Sequence, residues 1–257
     1  MILFERHFGS GDPLIILHGL FGQSDNWTSI ARKLGEQFTV YTLDLRNHGQ
    51  SDHDNAMNYN VMADDLLETI DHFGIHKMHL IGHSMGGKVA MNFALRYPER
   101  LDKLLIADIG PRFYEPHHQK ILHGLNQLDL GALTSRIDAE NQLSPYIQDM
   151  GTRQFLLKNL YRNEDGGFSW RFNLPVITTE INRIGEELPA GISLIPTLFY
   201  HGGRSTYILP SDYSDILTYF PNAQFRVMEN AGHWLHAENP NEFIRITQWW
   251  ISNNVHN

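Results

Sequence analysis

Six short apolar runs alternate with amphipathic stretches along most of this chain, and this alternation constrains its fold more than any other feature. Buried parallel strands are short and apolar throughout, whereas the helices between them repeat apolar residues at spacings of three and four. The strand-like runs are residues 14–17, 38–43, 78–81, 104–107, 197–200 and 225–228. The helix-like stretches are residues 27–34, 61–73, 88–97, 213–220 and 242–251. The pattern predicts an α/β fold with a mostly parallel central sheet.

The segment from residue 112 to 194 interrupts this alternation. It carries helical patterns over residues 122–133 and 152–160 but no convincing buried strand. We interpret it as a helical cap inserted after the strand that ends at Asp108, with residues 1–111 and 195–257 forming the α/β core. The alternative is an elaborate crossover that belongs to the core itself.

Composition excludes several classes of partner. With 20 Lys and Arg against 29 Asp and Glu, the formal charge is −9, which is the wrong sign for binding a phosphate backbone, so nucleic acid is not expected. The chain has no cysteine, which suits a reducing compartment and favours a cytoplasmic location. The apolar runs near its start are too short for a signal peptide or a membrane span.

Metal and nucleotide cofactors are not expected either. The chain contains 15 histidines, but it shows no H-E-x-x-H motif and no tight histidine and aspartate cluster with ligand spacing. His117 and His118 are expected to be exposed in the cap. The glycines at 9 and 11 lack a third glycine and precede a strand, so they do not form a dinucleotide loop.

Residues 82–87, GHSMGG, carry the strongest chemical signal. They match G-x-S-x-G at a switch from strand to helix, which is the context of a nucleophile elbow. Gly82 and Gly86 remove side chains that would crowd this sharp turn. Ser84 is therefore the candidate nucleophile at the head of a helix, and the Met85 backbone N–H is a candidate oxyanion donor.

A second glycine-marked turn, residues 17–22, follows an early strand, where such a fold needs another oxyanion donor. The backbone N–H of Leu20 is the candidate. His18 ends a buried strand and is interpreted as structural. Phe21 is a candidate wall of the substrate pocket, although it could equally lie in the core.

A histidine follows the strand at residues 225–228 and comes out at the same sheet edge as Ser84. This residue, His233, can accept the serine proton and return it to the leaving group. His236, three residues later, is the competing candidate base. Trp234, next to the histidine, is a candidate pocket residue.

The acid of the triad is harder to place, because the loop after the strand at residues 197–200 contains no carboxylate. Asp212 and Asp215 follow, but a negative charge at a helix start is favoured by the helix dipole alone. Asp108 ends the strand after the nucleophile's helix, and the order Ser84, Asp108, His233 is the one that this kind of fold uses. A structural cap of the following turn is the alternative role of Asp108.

Two further sequence features bear on the site. Residues 44–51, DLRNHGQS, form a dense polar turn that is interpreted as support for neighbouring loops.

Aromatic and apolar residues concentrate in the second half of the cap, and several are expected to close a compact pocket over Ser84, with Trp170 as the named candidate. These residues are Phe155, Leu156, Leu160, Phe168, Trp170 and Phe172.

Residues 1–253 resemble the α/β-hydrolase superfamily, and more closely the bacterial YbfF-type esterases. The resemblance is carried by LHGLFGQSDNW, DLRNHGQS, GHSMGG, LLIADIGP, HGGRSTYI and AGHWLHAENP. Asn47, the acid-free loop after the penultimate strand, and Asp108 separate this branch from generic members. Haloalkane dehalogenases and epoxide hydrolases look similar but need aspartate at the nucleophile position, where this chain has Ser84.

The resemblance implies an esterase with a small helical cap and no cofactor, acting on short acyl esters of small molecules and on acyl thioesters. The same triad could serve a cofactor-free C–C hydrolase or a perhydrolase, and pocket shape would decide between these reactions. A binding protein that has lost turnover is disfavoured by the intact Ser84, His233 and glycine-marked turns. No motif indicates the oligomeric state.

Overall fold

The computed structural model describes residues 1–253, and its main feature is a seven-stranded sheet in the order β1-β3-β2-β4-β5-β8-β9. The strands are β1 Glu5–Phe8, β2 Asp12–Leu17, β3 Phe38–Leu43, β4 Met78–His83, β5 Leu101–Ala107, β6 Leu160–Arg162, β7 Phe168–Trp170, β8 Thr197–Gly202 and β9 Ala223–Met228. The helices are α1 Thr28–Leu34, α2 Tyr59–His72, α3 Met85–Arg96, α4 Gln119–Gln127, α5 Arg136–Leu143, α6 Met150–Leu157, α7 Leu174–Ile184, α8 Tyr213–Tyr219, α9 Leu235–Glu238 and α10 Pro240–Ser252.

The six predicted strands are all present and pair in parallel, so the α/β fold class is confirmed. The five helical patterns outside residues 112–194 correspond to α1, α2, α3, α8 and α10. Only β1 is added to the sheet, as an edge strand antiparallel to β3. Its residues include Glu5, Arg6 and His7, and such a polar edge lacks the apolar run by which the other strands were predicted.

The sheet is covered on both faces, which explains why its strands are apolar at consecutive positions. Leu14 and Ile16 of β2 pack in a core with residues of α1 and α10. Ile15 and Leu17 point to the opposite face and pack in a core with residues of α2 and α3. The carboxyl ends of the parallel strands therefore meet at one edge between two helical layers, where the candidate site lies.

The segment between β5 and β8 holds α4 to α7 and a small hairpin of β6 and β7. The sequence predicted helix as far as residue 133, but α4 ends at Gln127 because the Asp129 carboxylate accepts from the N–H groups of Gly131 and Ala132 and forms a turn. The hairpin strands have three residues each, too few for a periodic signal. The division of the chain into core and cap stays a prediction.

Lys88 of α3 bonds to both ends of this segment and so holds them against the helix that follows β4. Its side chain is buried, and Nζ donates to the carbonyl groups of Pro111, Arg112 and Glu186 at 2.9, 2.6 and 2.8 Å. Burial lowers the pKa of Lys88 to about 7, while the three carbonyl acceptors favour its charged form. An ammonium group has three N–H donors, so each is used.

Replacing Lys88 by methionine should lower the free energy of unfolding by about 3 kcal/mol or more, because three carbonyl groups in buried or partly buried hydrogen bonds lose their donor at about 1–3 kcal/mol each. Urea denaturation measures the change. The control is Lys77→Met, since Lys77 is exposed and makes only a surface ion pair with Asp102. Equal urea midpoints for the two variants would contradict this role of Lys88.

Candidate active site

Ser84 lies at the turn between β4 and α3 with φ +53° and ψ −120°, a strained conformation for a residue other than glycine. A Cβ on Gly82 would lie 2.3 Å from the Gly86 carbonyl oxygen. A Cβ on Gly86 would lie 2.5 and 2.6 Å from the carbonyl oxygens of His18 and Leu17. Gly82 therefore relieves crowding inside the turn, whereas Gly86 lets α3 approach the end of β2. The sequence pattern predicts crowding within the turn at both positions.

Ser84, His233 and Asp108 lie in one hydrogen-bonded row. His233, in the loop after β9, has Nε2 3.1 Å from Ser84 Oγ, and its Nδ1 is 2.7 Å from Asp108 Oδ2. Asp108 follows β5 in a left-handed conformation, φ +53°, and is fully buried. The other carboxylate oxygen, Oδ1, accepts from the Gly202 N–H at 3.0 Å. Such a row can pass a proton from a serine to a histidine whose second nitrogen is held by a carboxylate.

The acid-free loop after β8 supports this row with two residues that the sequence did not single out. Ser205 donates its hydroxyl to Asp108 Oδ2 at 2.5 Å. Tyr207 stacks on the His233 ring, with centroids 4.0 Å apart and planes inclined by 18°. A stacked aromatic face holds the plane of the imidazole ring in place. The string HGGRSTYI carried no signal for either role, because neither residue type is diagnostic there.

The two candidate oxyanion donors are free. Within residues 1–253, the backbone N–H groups of Leu20 and Met85 donate to no protein acceptor. The turn that carries Leu20 approaches the nucleophile closely, since a Cβ on Gly19 would lie 3.2 Å from Ser84 Cβ. Met85 is the first residue of α3, where the N–H points out of the helix end.

Buried neutral histidines hold the turn that carries Leu20. The Phe21 N–H donates to His48 Nε2 at 3.2 Å, and the Leu45 N–H donates to His18 Nε2 at 3.0 Å. Burial lowers the pKa of His18 to about 4 and that of His48 to about 3, so both rings accept as neutral imidazoles. Asn159 donates to the Phe21 carbonyl at 2.8 Å. The polar turn at residues 44–51 thus fastens the candidate oxyanion turn.

The competing residues do not join this hydrogen-bonded row. His236 is buried and stacks on Trp27 with centroids 4.1 Å apart, and burial lowers its pKa to about 3. Asp212 accepts from the Leu209 N–H at 2.8 Å. Asp215 lies exposed in the first turn of α8. None of these side chains contacts Ser84 or His233 by a hydrogen bond within the described chain.

A cavity of about 260 Å³ opens beside Ser84. Phe21 and Trp234 line it, as the sequence predicts, but Trp170 does not. Trp170 stacks on Phe172, with centroids 4.9 Å apart, and Phe172 in turn packs edge-on against Phe21. Trp170 therefore lies behind the residues that line the cavity.

Other residues of the segment between β5 and β8 reach this cavity. Of the apolar residues expected to close it, Phe155 and Leu156 line it, whereas Leu160, Phe168 and Phe172 do not. His117 and His118 also line it. The expectation that both histidines are exposed is correct for His117 only: His118 is half-buried, and burial lowers its pKa to about 4.

Two features of the described residues concern metal ions and membranes. In residues 1–253, no three histidine, cysteine, aspartate or glutamate side chains are grouped so that they could hold a metal ion. None of the helices within that range combines the length and the apolar character that crossing a membrane requires.

Comparison with known proteins places this geometry in context. The sequence model of the family described as alpha/beta hydrolase fold matches residues 12–240. Esterase YbfF of Escherichia coli (strain K12) is 37% identical over 246 residues, covering 95% of this chain and 94% of that protein. The sn-1-specific diacylglycerol lipase ABHD11 of Mus musculus is 38% identical over 245 residues, covering 90% and 78%. A solved marine microorganism esterase is 42% identical with a TM-score of 0.95, covering 97% and 99% of the two chains.

Proposed function

The chain belongs to the α/β-hydrolase fold family, and from this premise we propose that it is a serine esterase that hydrolyses small, short-acyl carboxylic esters through an acyl-enzyme on Ser84. The observation that carries the proposal is the row of Ser84, His233 and Asp108 at the wall of a cavity. The relatives named esterase and lipase support ester bonds as the substrate class.

In the proposed reaction, His233 Nε2 takes the proton of Ser84 Oγ as this oxygen attacks the ester carbonyl carbon. The N–H groups of Leu20 and Met85 stabilise the negative oxygen of the tetrahedral intermediate. Asp108 stabilises the charged imidazole, which then returns its proton to the leaving alcohol. A water molecule, activated by the same histidine, releases the acid from Ser84.

The same row could serve C–C hydrolysis or perhydrolysis, but no observation favours either reaction over ester hydrolysis. We extend the proposed substrates to acyl thioesters, which react through the same intermediate. The formal charge of −9 supports a small-molecule substrate over nucleic acid, and the absence of cysteine supports a cytoplasmic location. Residues 112–194 are proposed as the cap that covers the site of a core formed by residues 1–111 and 195–257.

A panel of para-nitrophenyl esters from acetyl to palmitoyl, with acyl-CoA thioesters of the same lengths, tests this function. We expect kcat/KM to be highest for acyl groups from acetyl to butyryl, because the cavities beside Ser84 are compact. A steady rise of kcat/KM up to palmitoyl would contradict the short-acyl preference. Hydrolysis of no ester in the panel would contradict the esterase itself.

A further inference from the structure

A second, smaller cavity also borders Ser84. Its volume is about 30 Å³, and its walls include the buried apolar side chains of Leu20, Met85, Ile109 and Ile181. Leu20 and Ser84 border both cavities. An ester bound at Ser84 thus has two separate spaces for the two groups that flank its carbonyl carbon.

The two cavities differ in their access to the candidate base. Among residues 1–253, His233 and Trp234 border the larger cavity and not the smaller one. The base must donate a proton to the leaving oxygen, so this oxygen has to lie within hydrogen-bond reach of His233 Nε2. The alcohol part of the ester therefore extends into the larger cavity.

The remaining directions at the tetrahedral carbon are then determined. One substituent is Ser84 Oγ, a second is the oxygen that faces the N–H groups of Leu20 and Met85, and a third is the leaving oxygen near His233. The fourth substituent is the acyl chain, and the space left for it is the smaller cavity. A water-sized group needs about 10–15 Å³, so this cavity has room for about two to three water-sized groups and therefore only for a short acyl chain.

Several polar groups that reach the smaller cavity are already bonded. All three N–H donors of Lys88 are used by backbone carbonyl groups. The Tyr59 hydroxyl donates to the Ile184 carbonyl at 2.5 Å, and the Tyr114 hydroxyl donates to the Tyr207 carbonyl at 2.6 Å. His118 also borders this cavity, but burial lowers the pKa of its ring to about 4, so the ring is neutral. Neither His118 nor Lys88 offers an acyl carboxylate a free charged donor, and burying the carboxylate without one would be costly. Glu115, exposed at the rim, adds a repelling charge.

We propose that the smaller cavity is the acyl pocket, that it accepts short uncharged acyl groups, and that Ile181 of α7 sets the length it accepts. The larger cavity holds the alcohol part. This inference rests on the proposed esterase function and adds to it which group occupies which cavity.

Two series of esters test the assignment. The acyl chain is varied from acetyl to octanoyl in para-nitrophenyl esters, and the alcohol is varied from ethyl to benzyl in acetate esters. Ile181→Ala should raise the octanoyl-to-acetyl ratio of kcat/KM about tenfold or more, since a methylene in an apolar pocket discriminates by that order. Ile181→Phe should lower the butyryl-to-acetyl ratio by a similar factor, because it fills the cavity.

Two other variants serve as controls for the Ile181 variants. Ile177→Ala removes the same atoms from the same helix at a buried position that borders neither cavity, and should leave both ratios unchanged. Phe155→Ala, on the wall of the larger cavity and not of the smaller one, should change the ratios of kcat/KM within the alcohol series and leave the octanoyl-to-acetyl and butyryl-to-acetyl ratios unchanged. The para-nitrophenyl hemisuccinate should be cleaved about tenfold or more slowly than the butyrate, because the smaller cavity has no free charged donor for its carboxylate.

The opposite pattern would overturn the assignment. An effect of Ile181→Ala on the alcohol series instead of the acyl series would exchange the two pockets, and active Ile181→Ala and Ile181→Phe enzymes with unchanged acyl ratios would refute it. If Ile181→Ala fails to fold, Ile181→Val and Ile181→Phe decide by the same ratios. Should the parent enzyme cleave esters while these ratios stay constant, only the pocket assignment fails; should it cleave none, the proposed function fails first.

Discussion

Replacing Ser84 by alanine is expected to lower kcat for ester hydrolysis by on the order of 10⁶, the loss that follows removal of a triad serine in a serine protease. The alanine variant lacks the oxygen that lies 3.1 Å from His233 Nε2 and can form no acyl-enzyme. An organophosphonate should label the parent enzyme at Ser84 and leave the variant unlabelled. Mass spectrometry of the labelled peptide, together with ester turnover, measures both effects.

The fold should survive this substitution, because alanine removes only the hydroxyl from a turn whose backbone is held by Gly82 and Gly86. Matching urea midpoints for parent and variant check this point. Ser214→Ala is a matched control at an exposed position of α8, and we expect full labelling and turnover there. Residual activity of the Ser84 variant above about a few per cent, with the label on another residue, would exclude Ser84 as the nucleophile.

Replacing Asp108 by asparagine should lower kcat by about 10⁴, as the same change does in a serine protease. Asp108 Oδ1 accepts from the Gly202 N–H, while Oδ2 accepts from His233 Nδ1 and from the Ser205 hydroxyl. An amide has only one oxygen, so keeping the bond to Gly202 turns its NH₂ group toward His233. The ring must then accept at Nδ1 and carry its proton on Nε2, where it can no longer take the proton of Ser84.

Three other carboxylates serve as controls for this prediction. Asp212→Asn, Asp215→Asn and Glu229→Gln should each keep kcat within about tenfold of the parent value, far from the loss expected at the triad acid. Asp212 bonds its own loop, and the side chains of Asp215 and Glu229 are exposed. If kcat stays near normal in Asp108→Asn and falls steeply in one control, the residue changed in that control is the acid of the triad.

Local sequence patterns determined the main sheet of this protein and the turn that carries Ser84. Apolar periodicity predicted six of the seven strands in the main sheet, because both faces of the sheet are covered and each buried strand must be apolar. The glycines around Ser84 predicted a sharp turn, and the structure contains it. Asp108 and His233 could be named as candidates from the sequence, since the carboxyl ends of neighbouring parallel strands meet at one edge of the sheet. Their roles stay predictions until the variants are measured.

The surroundings of these residues were decided only by tertiary structure. Ser205 reaches Asp108 across 97 positions of the chain, and Tyr207 stacks on His233 from a loop whose sequence pattern gave no reason to expect it. Trp170 is an aromatic residue of the segment between β5 and β8, like Phe155, yet it lies behind Phe172 while Phe155 reaches the cavity.

Periodicity and turn chemistry act over a few residues, so a sequence reports them directly. Which side chain lines a cavity depends on the distance between segments far apart in the chain, and on which of several similar residues stands in front. The two cavities at Ser84 arise where the early turn at Leu20, helix α7 and the loop before Trp234 come together. Their sizes follow from that packing, which no local pattern encodes.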